Sequence, residues 1–122
     1  MKRVAVIGAS KNRDKFGNKA LRAYQSQGYE VYPINPREKS IEGLDCYPSV
    51  SEVQGELDIV SVYVAPEVLA EILPEIAAKG CRELWLNPGS ESERVLARAD
   101  ELGLNIVQAC SIVALGLSPA SL

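Results

Sequence analysis

Four short segments of this 122-residue chain carry residue types suited to holding an anion: Gly8-Ala9-Ser10, Asn35-Pro36 with Arg37 and Lys39, Ala65-Pro66, and Asn87-Pro88-Gly89. Each follows directly on a short apolar, β-rich run. A small-residue turn between a strand and a helix leaves backbone N–H groups unpaired at the positive end of the helix dipole, so the chemistry it offers is phosphate or carboxylate binding. Arg37 and Lys39 place cations beside the second of these turns. Other chemistries are poorly supplied. The chain has no histidine, and Cys46, Cys81 and Cys110 are too far apart for metal-ligand spacing. A structural zinc site, a histidine general base and a histidine-based triad are therefore not expected, and no residue is assigned a catalytic role.

The elements that must position these turns follow from periodicity. Val4-Ala5-Val6-Ile7, within Lys2–Ser10, is a continuous apolar run and predicts a strand buried on both faces. KNRDKFGN reads as a loop. A helical pattern then begins near Gly17, with Ala20, Leu21, Ala23 and Tyr24 on one face and Gly28 placed to end it. Tyr29–Ile34 (YEVYPI) is a second strand, and Pro33 suggests that it ends there. Arg37–Pro48 reads as a surface connection and Ser49–Val53 as one helical turn capped by Ser49 or Ser51. Leu57–Val64 (LDIVSVYV) is a third strand. Pro66 suits the first position of a helix whose apolar stripe is Leu69, Ile72, Leu73, Ile76 and Ala77. Pro74 inside that stripe predicts two pieces or a bend. Glu83–Leu86 (ELWL) is a fourth strand, and Ser90 with Glu93 reads as a capping box for a helix ending at Gly103. Leu104–Val107 (LNIV) is a fifth strand. Residues 110–122 are apolar and small, and take no assignment.

Strands alternating with helices predict an α/β fold over residues 1–122: one domain, a doubly wound open parallel sheet of about five strands with helices on both faces. Ligands of such sheets bind beyond the carboxyl ends of the strands, where the strand order reverses. The four special segments all fall at those ends. Composition agrees with one globular domain, at 47% apolar and 24% charged residues. The net charge of −3 argues against a general nucleic-acid binder. No run is long enough for a membrane span or a signal-peptide core, and with an odd set of cysteines the expected setting is the cytoplasm.

The nucleotide class can be narrowed. The dinucleotide fingerprint G-x-G-x-x-G is missing, since the next glycine after Gly8 is Gly17. The second strand ends in Ile34-Asn35, with no acid to accept ribose hydroxyls. Arg37 and Lys39 instead suit an extra ribose phosphate, either the 2′-phosphate of NADP or the 3′-phosphate of coenzyme A.

At this point the sequence resembles the small stand-alone CoA-binding proteins, relatives of the N-terminal domain of the succinyl-CoA synthetase α subunit. The resemblance rests on VAVIGAS (Val4–Ser10), Phe16-Gly17, GYEVYPINP (Gly28–Pro36), Gly43 with Tyr47-Pro48-Ser49, Leu57-Asp58-Ile59-Val60 and LWLNPGS (Leu84–Ser90). It implies a Rossmann-like domain that binds coenzyme A or an acyl-CoA as a binding or regulatory module. Gly8, Ala9 and Ser10 would seat the pyrophosphate. Asn35, Pro36 and nearby Arg37 or Lys39 would border the adenosine 3′-phosphate. Ala65-Pro66 would lie along the nucleotide or pantetheine, and Asn87-Pro88-Gly89 beside the pantetheine arm. Two other readings stay open: a subunit of an acyl-CoA ligase that needs a partner chain, and an NAD(P)-binding redox domain.

Many relatives read Asp-x-Cys where this chain has Gln108-Ala109-Cys110. Cys110 could form a mixed disulfide with the CoA thiol, although inert packing is the commoner fate of such a thiol. Trp85 is expected in the core. The apolar stretch Ile112–Leu117 needs cover, from its own domain or from a second copy in a homodimer.

Overall fold

The computed structural model describes residues Met1–Leu122 as strands alternating with helices. The first strand, β1 (Arg3–Ile7), shows how the sheet is built. Its side chains alternate between two faces. Val4 and Val6 pack with Leu21 and Tyr24 on one side, and Ala5 and Ile7 with Leu69, Leu73 and Ile76 on the other. Burial on both faces is what the unbroken apolar run requires. β5 (Ile59–Val62) and β6 (Glu83–Leu86) lie beside it, with β2 (Glu30–Ile34) and β7 (Ile106–Val107) at the edges. The order is β2-β1-β5-β6-β7 and every pairing is parallel. α1 (Phe16–Ser26) and the short α4 (Ser111–Ala114) cover one face; α2 (Pro66–Lys79) and α3 (Glu93–Glu101) cover the other. This is the expected α/β Rossmann-like architecture.

Several local expectations change. β2 does end at Ile34, and Pro33 is held within it because it lies on an edge strand where its missing N–H breaks no ladder bond to β1. The supposed surface connection holds a two-stranded antiparallel hairpin, β3 (Ser40–Ile41) and β4 (Leu44–Asp45). Its turn residues Glu42 and Gly43 have φ of 51° and 77°, the positive pair of a primed hairpin turn. α2 is one continuous helix across Pro74, which faces solvent, so water can take the carbonyl that loses its donor. The cap of α3 is Ser92, whose Oγ accepts from the Val95 N–H at 3.1 Å. Ser90, expected in that role, is buried, and its hydroxyl donates to the Asn87 carbonyl at 2.7 Å. Ser49 and Ser51 bond to each other at 2.7 Å, so the 3-10 turn Val50–Glu52 has no side-chain cap. β7 keeps only two of the four expected residues, and Trp85 is half-buried rather than central. In the C-terminal stretch Ile112 is buried against Ala20 and Ala23 of α1, while Val113 remains 61% exposed.

One contact positions the upper edge of the sheet. Gly8 ends β1 with φ of 88°, and a Cβ there would stand 2.7 Å from the Tyr63 carbonyl oxygen. Gly17, in the first turn of α1, lies so close to β1 that a Cβ would meet the Gly8 carbonyl oxygen at 2.2 Å. Backbone therefore packs on backbone where strand and helix meet. Gly17→Ala is expected to lower stability by more than about 2 kcal/mol through this overlap, even though alanine is the better helix former. Urea-denaturation midpoints of the two proteins check this, and an unchanged or raised midpoint would contradict it.

Candidate functional site

From β1 the chain crosses through α1 to β2 on one side, then returns to β5 on the other side of β1. The connections diverge at the carboxyl ends of β1 and β5, and a crevice opens there. Two clefts occupy it. The first, of about 620 Å³, is lined by Gly8-Ala9-Ser10, by Asp14–Gly17, by Asn35, by Tyr63-Val64-Ala65 and by Pro88-Gly89-Ser90. The second, of about 490 Å³, is mainly apolar and lies between the end of β2, the Pro48–Val50 segment and α2. Gly8, Asn35 and Val64 line both, so the two adjoin at these residues.

The floor of the first cleft is built around backbone N–H groups that have no acceptor in the protein. The Phe16 and Gly17 N–H groups open α1 and have no intrahelical acceptor. α1 carries no acidic residue in its first turn, and the Asp14 carboxylate just before it shares the cleft lining with Lys15. Two asparagines orient the turn before it. Asn35 Nδ2 donates to the Ala9 carbonyl and Asn18 Nδ2 to the Ser10 carbonyl, both at 2.8 Å. In a trans peptide the N–H points opposite to the carbonyl, so the Ser10 and Lys11 N–H groups face away from these anchors. Neither has a protein acceptor. The Ser10 hydroxyl accepts from the Asn12 N–H at 3.1 Å, which holds the turn in shape.

Asn18 is fully buried and carries more than this one bond. Its Oδ1 accepts from Arg22 Nε at 2.7 Å, and its Nδ2 also reaches Glu42 Oε2 at 3.2 Å. The unexpected hairpin thus lays its Glu42 carboxylate against the start of α1, where Arg13 pairs with it at 3.4 Å. Lys11 pairs with Glu38 at 2.9 Å. These ion pairs tie the loop after β1 to the segment after β2. Lys15 and Arg37 form no ion pair and line the first and second cleft respectively.

The structure brings Gly8, Ala9, Ser10, Asn35, Pro36, Arg37, Ala65, Pro88 and Gly89 together on the clefts. Three other candidates lie elsewhere. Lys39 is exposed and lines neither cleft, and Pro66 starts α2 behind Ala65. Asn87 is buried beneath Pro88, and its amide is used up inside the protein. It donates to Ser61 Oγ and the Val62 carbonyl, each at 2.9 Å, and accepts from the Ser111 N–H at 2.8 Å. Asn87 therefore shapes the Pro88–Ser90 wall from behind.

Sequence reasoning missed Asp14, Lys15, Tyr63, Val64, Ser90 and the α2 face Val68, Ile72 and Glu75 as lining residues. Phe16 carries the one visible signal, an aromatic before the glycine of α1; it stands 52% exposed on the rim. The Tyr63 hydroxyl is buried without a partner, and burial, together with the nearby Cys110 thiol, pushes its ionisation well above the ordinary phenol range. Cys110 is half-buried against the α1–α4 packing and lines neither cleft.

Comparison with known proteins gives a consistent picture. The CoA binding domain family profile matches residues 2–116. A solved structure, a conserved hypothetical protein from Pyrococcus furiosus, superposes with a TM-score of 0.82 at 38% identity, covering 87% of this chain and 91% of that one. The uncharacterised protein YneT of Bacillus subtilis is 29% identical over 106 residues, 87% of this chain and 78% of its own length. ADP-forming acetate–CoA ligase II of Archaeoglobus fulgidus is 35% identical over 117 residues, which is 86% of this chain but 17% of the ligase. The chain thus spans less than a fifth of that ligase's length.

The load on Asn87 generates a test. Asn87→Ala leaves the buried Ser111 N–H and Val62 carbonyl without their side-chain partner, and is expected to lower stability by about 3 kcal/mol. Chemical denaturation measures this; a loss below about 1 kcal/mol would contradict the clamp.

Proposed function

The chain belongs to the CoA binding domain family, and from that premise we propose that it holds coenzyme A, free or acylated, across the two adjoining clefts. The observation that carries the reading is that the two clefts adjoin, with Gly8, Asn35 and Val64 lining both. A seat of unpaired N–H groups suits the pyrophosphate, and an adjoining apolar cleft edged by a free Arg37 suits the nucleoside and its 3′-phosphate. Pro88-Gly89-Ser90 and Phe16, on the other side of the seat, suit the pantetheine arm. The chain acts as a binding or regulatory module, and its reduced cysteines support a cytoplasmic setting.

A second reading is favoured by the ligase relative, whose sequence matches this chain over most of its length. In that reading the domain is the CoA-holding part of an acyl-CoA ligase completed by another chain. Acyl-CoA formation from acid, ATP and CoA on addition of a nucleotide-binding ligase chain would support it over a stand-alone role.

Calorimetric titration with CoA and dephospho-CoA tests the leading reading. Wild-type protein is expected to bind CoA, and loss of the 3′-phosphate or Arg37→Ala to weaken binding about tenfold, the scale of one charge-assisted hydrogen bond. Lys39→Ala should leave affinity within about twofold, as an exposed charge outside the clefts would. Absence of CoA binding would overturn the reading. Equal affinity without the 3′-phosphate would remove Arg37 from it.

A further inference from the structure

The β3–β4 hairpin carries a long side chain where the backbone favours none. Glu42 has φ of 51°, in the left-handed region that glycine and asparagine enter most readily, and it is the only non-glycine residue of the chain with a positive φ. The hairpin does not need a carboxylate to fold. Ile41 beside it is buried in the core with Leu21 and Tyr24, and the turn would close more easily around Gly-Gly or Asn-Gly. What the Glu42 carboxylate does is close a ring. Its Oε2 accepts from Asn18 Nδ2 at 3.2 Å, and its Oε1 pairs with Arg13 Nη1 at 3.4 Å. The Arg13 carbonyl accepts from Arg22 Nη2 at 2.9 Å, and Arg22 Nε returns to Asn18 Oδ1 at 2.7 Å. Glu42, Arg13, Arg22 and Asn18 thus hold one another in a cycle across the hairpin, the loop before α1 and α1 itself.

The Asn18 amide spends its nitrogen on two acceptors, the Glu42 carboxylate and the Ser10 carbonyl. That amide is planar and its residue fully buried, so fixing the direction of one N–H fixes the other. The Ser10 carbonyl and the Lys11 N–H belong to a single peptide plane. The Lys11 N–H has no acceptor in the protein, and it takes its direction from Glu42 by way of Asn18. We propose that Glu42 is a positioning residue for phosphate binding: it turns the Asn18 amide, and through it the Ser10–Lys11 peptide, so that the Lys11 N–H is offered to the pyrophosphate. This rests on the proposed binding of CoA and adds to it a residue that lines neither cleft. The left-handed backbone at Glu42 is then the cost of holding an acceptor at this point. Electrostatics alone gives the opposite expectation, because removing a carboxylate from the neighbourhood of a phosphate tightens binding. The positioning role makes loss of the side chain weaken binding, and it separates variants that keep an acceptor oxygen for Asn18 from those that do not.

The test is calorimetric titration of CoA into wild-type protein, Glu42→Gln, Glu42→Asn and Glu42→Gly, at a temperature where circular dichroism shows all four folded. Glutamine keeps an acceptor oxygen at the same reach without the charge. Asparagine tolerates positive φ but falls one methylene short, and glycine relieves the backbone with no acceptor at all. Glu42→Gln should hold affinity within about threefold of wild type, whereas Glu42→Asn and Glu42→Gly should bind about tenfold more weakly, the scale of one charge-assisted hydrogen bond. In the unliganded proteins the Lys11 backbone amide resonance should stay near its wild-type position in Glu42→Gln and move in the other two. Affinity kept or raised in Glu42→Asn or Glu42→Gly, or an equal loss in Glu42→Gln, would overturn the inference while leaving CoA binding intact. Failure of wild-type protein to bind CoA at all would overturn the parent reading, and this one with it.

Discussion

The site depends on one steric fact: two glycines allow the backbone of a helix to rest directly on the backbone of a strand end. With any side chain at Gly17, α1 would have to withdraw from the Gly8 carbonyl, and its unpaired N–H groups would leave the crevice. Gly8 has a matching role on its other side, where it passes close under the Tyr63 carbonyl and lets β1 and β5 end at the same level. The cluster of unpaired N–H groups is thus a product of packing at the switch point of the sheet. A helix dipole is available at the start of every helix. Here, small residues bring one such start against the strand ends that supply the remaining walls.

Three asparagines then convert this backbone geometry into a fixed shape. Asn18, Asn35 and Asn87 each use both halves of the amide, donating to a carbonyl at or just beyond a strand end and accepting from Arg22 Nε, the Arg37 N–H and the Ser111 N–H respectively. Buried polar groups of this kind are costly unless every bond is made, so each arrangement tolerates little displacement. The ion pairs from Lys11 and Arg13 to the hairpin segment are more exposed and contribute less. Rigidity around the β1–α1 turn contrasts with the second cleft, whose walls are apolar side chains from β2 and α2. A site with one fixed, directional end and one shape-based end suits a ligand with a phosphate centre and a planar base.

Much of this was legible in the sequence, for physical reasons that also explain what was not. β1 and β5 are buried on both faces, so their composition alone declares them. Strand-end residues could be placed because topology puts them on one edge whatever the details of packing. The hairpin at Ser40–Asp45 escaped notice because two-residue strands have no period, and its turn uses Glu42 where a glycine or asparagine would have signalled it. Ser90 looked like a helix cap by spacing, yet the Asn87 carbonyl is a nearer partner and the cap moves to Ser92. Asn87 looked like a wall and is a clamp, since burial decides which side of a turn an amide faces. Tyr63 and Glu75 come to the clefts through packing between distant elements, which no local pattern records.

Under the proposed function, an anionic ligand sits on the N–H groups where β1 meets α1. A titration of isotopically labelled protein with CoA, followed through backbone amide shifts, tests it most directly. The Ser10, Phe16 and Gly17 amides should move furthest and saturate together as their N–H groups gain phosphate acceptors. Saturable binding that leaves these three amides in place, with shifts confined to the opposite edge of the sheet, would contradict it.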